Sequence, residues 1–209
     1  MTAVTSSRAE QRQRRPQMRK GDAREAALLE ATEKLLHQVT PAELTVEDIA
    51  RRAQVTRTAF YFYFASKEEA IGRLAERYLG EIFAAAQPAF DPGIPLATGV
   101  RAAIENQVEV WGKHGRALAA VADLAASDPD IRDLWRAQID AFVEPVQQRI
   151  AENQRRSGRR SSRRLRLQAE ALVWMLERYY YVWASGHYEH PPREVAEGLY
   201  LVCMAILDA

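Results

Sequence analysis

The sequence is short of several things, and each shortage narrows what it can be. A single cysteine, Cys203, leaves no intramolecular disulfide to build a scaffold and fits a reducing compartment. No apolar stretch approaches the roughly 20 residues that a membrane-spanning helix needs. The twin arginine Arg14-Arg15 is followed by no apolar run, which argues against a secretion signal and makes the cytoplasm the expected location. A Gly-rich phosphate loop, Gly-x-Ser-x-Gly, His-Glu-x-x-His and Cys-x-x-Cys are all missing. His187 and His190 are three apart, but they lie in a turn with no evident third ligand, and Cys203 sits among apolar neighbours. No enzyme, metal site or cofactor is expected. Nor does any segment read as a strand with a partner, so the expected fold class is all-α.

What is present is ordinary for a globular chain: 47% apolar residues, 27% charged and a net charge of +1. The charge is unevenly placed. Residues 1–20 carry Arg8, Arg12, Arg14, Arg15, Arg19 and Lys20 against Glu10 alone. The polar segment 1–21 therefore reads as a disordered basic arm, either solvated or following a nucleic-acid backbone. A second arginine cluster, Arg155, Arg156, Arg159, Arg160, Arg163, Arg164 and Arg166, reads as a solvated loop.

Apolar spacing predicts a helix from Asp22 to about His37 (Leu28, Ala31, Leu35, Leu36). Thr45 with Asp48 caps a second helix, and Thr56 can cap a third after a tight turn. Ser66 with Glu69 opens a fourth, running to about Gln87. Residues 88–95 read as a linker. A helix over Leu96–Trp111 follows, with a break at Gly112–Gly115. One helix runs from Pro129 to about Gln154, one from about Leu165 to Ser185, and the last ends near Leu207.

Between two capping signals stand five consecutive aromatic residues, Phe60, Tyr61, Phe62, Tyr63 and Phe64. Local propensity favours a strand there. A lone strand has nothing to pair with, so residues 57–63 are predicted as a short helix. Phe60 and Phe64 then face a three-helix core with Leu28, Ile49 and Leu74. Tyr61 and Tyr63 lie at its edges, their hydroxyls suited to phosphate. Phe62 has no interior face left, and either presses on DNA or packs on another helix.

Two helices joined by a tight turn, the second one short, form a helix-turn-helix unit, whose second helix enters the major groove. Here that helix begins with Thr56, Arg57, Thr58 and Ala59. Arg57 matches guanine O6 and N7, and Ala59 is small enough to approach a thymine methyl. Lys67, in the first turn of the next helix, is placed to meet a phosphate. The bland alternative is a three-helix bundle that serves only as a core.

The segment "LTVEDIARRAQVTRTAFYFYFASKEEAI" resembles the helix-turn-helix signature of TetR-family transcriptional regulators, and "FYFYF" with "SKEEA" is similar to its EthR-like branch. The resemblance is specific over about Arg24–Leu74. It implies DNA contacts from Thr45, Arg57, Thr58, Ala59, Tyr61, Phe62, Tyr63 and Lys67. Gln54 departs from the pattern, standing where the family usually has glycine in the turn. The resemblance also implies a helix-turn-helix domain over 22–68 and a larger helical domain over 69–209 that binds a ligand and dimerises.

"LVWMLERYYYVW" (172–183) is apolar or aromatic on nearly every face and needs cover on both sides. A hydrophobic small-molecule site is expected from Ile104, Val108, Trp111, Trp135, Phe142, Trp174, Met175, Tyr179 and Tyr181, although such rings also fill cores. Glu177-Arg178 reads as a buried ion pair, a pair across a dimer or a ligand-orienting group. The expected activity is a repressor that binds a pseudo-palindromic double-stranded DNA operator as a homodimer, paired through its last two helices and released by the ligand. The alternatives are a DNA-binding protein without a small ligand, controlled by a partner or architectural, and an enzyme built on the aromatic cavity.

Overall fold

The computed structural model describes residues 20–158 and 164–207, so the basic arm and Arg159, Arg160 and Arg163 lie outside the described residues. Among the described residues there are nine helices and no strand: α1 (Lys20–Leu36), α2 (Val46–Arg52), α3 (Arg57–Tyr63), α4 (Lys67–Phe90), α5 (Leu96–Leu124), α6 (Pro129–Asp140), α7 (Val143–Arg156), α8 (Leu165–Ala184) and α9 (Pro192–Leu207). The fold class is all-α, with a small N-terminal three-helix unit and a larger helical body.

The capping signals work as the sequence implies. Thr45 caps α2, its hydroxyl oxygen accepting from the Asp48 N–H at 3.2 Å. Thr56 caps α3 by accepting from the Ala59 N–H at 3.1 Å. Ser66 caps α4 through the Glu69 N–H, and the Glu69 carboxylate accepts from the Ala65 N–H in return. The five rings are therefore helical up to Tyr63. Phe60 and Phe64 are buried beside Leu28, Ile49 and Leu74 in one apolar core.

The turn between α2 and α3 is a Schellman motif. The Val55 N–H donates to the Ala50 carbonyl, and the Gln54 N–H to that of Arg51. Gln54 takes the left-handed position, with φ 56°. An L side chain is strained there, which is why glycine is the usual occupant.

Three boundaries differ from the sequence reading. α4 continues through Pro88 to Phe90, so the linker is shorter than 88–95. Proline removes one helical hydrogen bond, and that turn is held from outside: a Cβ on Gly99 of α5 would come 2.2 Å from the Pro88 carbonyl oxygen. α5 does not break at Gly112–Gly115 but runs unbroken for 29 residues. Gly115 is a contact point instead, where an added Cβ would lie 2.5 Å from the Ala184 Cβ of α8. The single helix expected from Pro129 to about Gln154 is two. Pro145 lacks the N–H that a continuous helix would give to Ala141, so a new helix starts at Val143 with Pro145 in its first turn.

α4 serves both halves. It packs on α1 in the N-terminal unit and, along most of its length, on α5. α5 in turn touches α1, α6, α8 and α9. Arg101 of α5 ties α9 down through Glu197 at 2.7 Å, with its guanidinium 3.8 Å from the Tyr200 ring centre.

Replacing Gln54 with glycine is expected to relieve the turn and raise stability by up to about 1 kcal/mol. Urea unfolding of the two proteins measures this. A loss would mean that the Gln54 side chain holds the turn.

Candidate nucleic-acid interface and ligand cavity

Among the described residues nothing covers the outer face of α3. Phe62 is 83% exposed and Tyr61 45%. Arg57 and Thr58 are exposed, Ala59 is half-buried, and Tyr63 is half-buried against the core. Phe62 therefore packs on no other helix among the described residues. The Arg57 guanidinium rests 2.5 Å from a Glu47 oxygen of α2 and 3.3 Å from the Tyr61 hydroxyl. To reach a base it must exchange Glu47 for that base, so the free protein holds the side chain near its reading position. Thr45 and Thr56 are already engaged as helix caps, and the Thr45 hydroxyl also donates to Asp48 at 2.6 Å.

Lys67 has a different task from the expected one. Its ammonium donates to the carbonyls of Leu44, Pro41 and Ala42 at 2.7, 2.9 and 3.3 Å. All three donors are used, so what remains for a nearby phosphate is charge rather than a hydrogen bond. The residue clamps the loop before α2 to the start of α4, a role that required the tertiary structure to see.

The second feature is a cavity within the helical body. Its volume is about 100 Å³. The walls thus lie close together, which suits a slender occupant. α4 contributes Leu79, Ile82, Ala86 and Phe90, and α5 contributes Val100, Ile104 and Trp111. Trp135 and Ile139 of α6, Phe142 before α7, and Leu172, Leu176 and Tyr180 of α8 complete most of the wall. The polar side chains on it are Gln107, Arg149, Glu177 and the Tyr180 hydroxyl.

Of the expected lining residues, Ile104, Trp111, Trp135 and Phe142 are on the wall. The other five are not. Val108 is buried between helices, 5% exposed. Met175 and Tyr179 pack half-buried against the core elsewhere. Tyr181 donates its hydroxyl to Asp123 at 2.6 Å. Trp174 is 36% exposed on the outer side of α8. Sequence reasoning picked the aromatic residues of α8 but misjudged which stripe faces inward. It also missed the whole α4 contribution, although Leu79, Ile82 and Ala86 continue that helix's apolar stripe.

Glu177 stands out chemically. Its side chain is 3% exposed, and neither carboxylate oxygen meets hydrogen-bond geometry with a partner among the described residues. Arg178 Nε lies 3.7 Å away, but that side chain is 60% exposed. Burial pushes the carboxyl pKa up, and the Arg178 charge and the Trp135 indole only partly oppose this. Glu33 of α1 is the contrast. Burial would raise its pKa too, but the Tyr78 hydroxyl and the His114 imidazole beside it outweigh that and hold it below the usual range. His114 Nδ1 of α5 is 2.6 Å from the Glu33 carboxylate, which joins the N-terminal unit to the helical body. Among the described residues no group of three or more His, Cys, Asp or Glu is placed to hold a metal ion, and no helix is long and apolar enough to cross a membrane.

Comparison with known proteins matches both parts of the chain to regulator families. Residues 28–72 match the profile of bacterial regulatory proteins of the tetR family, and residues 100–206 match that of the C-terminal domain of the transcriptional regulator EthR. The chain is a TetR-family transcriptional regulator. It is 29% identical over 148 residues to the HTH-type transcriptional regulator EthR of Mycolicibacterium smegmatis, an alignment covering 68% of this chain and 66% of that protein. It is 30% identical over 144 residues to EthR of Mycobacterium tuberculosis, covering 68% and 67%. The aligned part thus spans about two thirds of these curated relatives.

Solved structures share the TetR fold at lower identity. A TetR-like regulator from Rhodococcus sp. RHA1 superposes with a TM-score of 0.67 at 23% identity, covering 85% of this chain and 91% of that one. The fatty acid degradation regulator FadR from Bacillus halodurans gives 0.73 at 13% identity, covering 88% and 94%. These likenesses show the fold alone. The profiles and relatives of this TetR-family chain are regulators, not enzymes.

Two outcomes follow from these contacts. Lys67→Met should cost about 1–2 kcal/mol of stability, because three carbonyls lose a charged donor. Unchanged stability with lost DNA affinity would return Lys67 to the phosphate role. For Glu177 the sign is set by its raised pKa. The folded state holds a proton that the unfolded chain gives up near the ordinary carboxylate value, so stability falls as pH rises above it. Glu177→Gln is therefore expected to melt higher than wild type at pH 8, with the difference shrinking toward pH 5. Thermal melts across that range check it.

Proposed function

We propose that the chain is a repressor. As a homodimer it binds a pseudo-palindromic DNA operator, and it lets go when a hydrophobic small molecule fills the cavity. One observation carries this reading: a solvent-facing α3 and an apolar cavity occur in one chain, and a single helix, α4, spans both. α4 begins beside α3 at the Lys67 clamp and ends as cavity wall at Phe90. An occupant that fits only one inclination of α4 shifts the population of head positions, and DNA that fits only another opposes it. The His114–Glu33 contact carries the same movement into α1.

The dimer face is argued from α8 and α9. Leu167 and Trp174 are exposed two turns apart on α8. Leu201 and Val202 of α9 are exposed, with Gly198 and Ala205 exposed one turn to either side. An apolar face with small residues invites close helix packing across a two-fold axis. Two recognition helices related by that axis would read an inverted repeat. Thr45, Thr56, Thr58, Ala59, Tyr61, Phe62 and Tyr63 surround Arg57 as the proposed DNA-contacting set, in a cytoplasmic regulator.

Selection of genomic DNA fragments by the purified protein tests the reading. One enriched inverted repeat is expected. Arg57→Ala should lose discrimination at one base pair, about 1–3 kcal/mol. Uniform weakening on all sequences would show that Arg57 touches phosphate only. A tightly bound apolar ligand that left operator affinity unchanged would remove the release mechanism.

A further inference from the structure

We propose that Glu177 makes the cavity selective for an amphiphilic amine, a protonated nitrogen carried on a slender apolar body. This rests on the ligand-binding reading and names the ligand's chemical class.

The argument starts from the carboxylate's surroundings. Glu177 lines the cavity, is almost fully buried and reaches full hydrogen-bond geometry with no described residue, the Trp135 indole giving it only a weak one. Its neighbour Arg178 offers charge but no hydrogen bond, with Nε 3.7 Å away and its largely exposed guanidinium 4.8 Å from the Tyr181 ring centre. Arg149, the other charge on the cavity wall, keeps only its Nε without a hydrogen-bond partner among the described residues. Arg149 Nη1 pairs with Glu152 at 3.1 Å, and Nη2 donates to the Ile94 carbonyl at 2.6 Å. The cavity thus presents one carboxylate whose pairing its own fold leaves undone. A buried, unsatisfied acid is destabilising, and a site that keeps one is suited to a ligand that completes it.

The groups around it favour a cation. Tyr180, one turn further along α8, has a buried hydroxyl that also lacks a partner. Its ring stacks on Trp111, with centres 5.8 Å apart and planes 17° apart. Trp111 and Trp135 put two indoles on the same wall, and indole faces attract ammonium groups. A carboxylate ligand would meet the Glu177 charge, with only the Nε of Arg149, already paired with Glu152, to offset it. An alcohol fits the apolar walls but cannot answer the charge. An ammonium does both, through a charge-assisted hydrogen bond in a poorly hydrated place.

Three chain-matched probes test this: dodecylamine, 1-dodecanol and dodecanoic acid, each kept below its aggregation concentration. Calorimetry at pH 7 reads affinity for wild type, Glu177→Gln and Glu177→Leu. The expected result is that dodecylamine binds wild type about tenfold or more tighter than dodecanol. That ratio should fall to near one in both variants, while dodecanol affinity stays within about twofold. Equal affinities in wild type, tightest binding of the acid, or an amine preference that survives in either folded variant would overturn the proposal and leave the apolar-ligand reading standing. Binding of none of the probes would sink both. Circular dichroism confirms folding. Glu177→Leu, which removes the charge from the interior, keeps the test open if the glutamine variant fails to fold.

Discussion

The packing of α4 against α5 is the constraint on which the rest depends. α4 has one end in the DNA-reading unit and the other in the cavity wall. α5 is the long helix that α1, α6, α8 and α9 all touch. α4 and α5 approach closely because a side chain is absent where their backbones meet, at Gly99 against Pro88, and Gly115 likewise brings α5 near Ala184 of α8. Between these points the Tyr78 ring of α4 lies over His114 of α5, with centres 4.5 Å apart, and His114 holds Glu33 of α1. A change in the α4–α5 angle cannot stay local, since packed interiors transmit displacement rather than absorb it.

The aromatic run shows how one short segment meets two demands. Phe60 and Phe64 supply core volume to a unit too small to fold on many apolar residues. Their neighbours Tyr61 and Phe62 are left outside by the same helical turn. Exposing Phe62 is unfavourable in the free protein. The exposure makes sense as half of an interface, with Arg57 held beside it by Glu47 and Tyr61.

Glu177 repeats that pattern inside the molecule. Its burial opposes folding, whereas Glu33, a half-buried carboxylate, is paired with His114. The two acids differ in partners, not in type. A structural acid acquires its hydrogen bonds from the fold. One that does not has been left for something else to complete.

The sequence by itself determined what depends on neighbours a few residues away. The all-α class, the caps at Thr45, Thr56 and Ser66, and the helical state of the aromatic run were all legible, because capping and periodicity are short-range. So was the strained position of Gln54, from the resemblance that puts glycine in that turn. The division at Pro145 was legible too, but its missing N–H was overlooked. Only the tertiary structure decided what depends on distant partners. It turned Gly115 from a helix breaker into a helix contact, and it tied Lys67 to carbonyls more than 20 residues away. It also chose which side of α8 faces the cavity, placing Tyr180 and Glu177 inward and Trp174 outward. A helix apolar on every face carries no pattern to say which stripe meets which neighbour, and only packing breaks that symmetry.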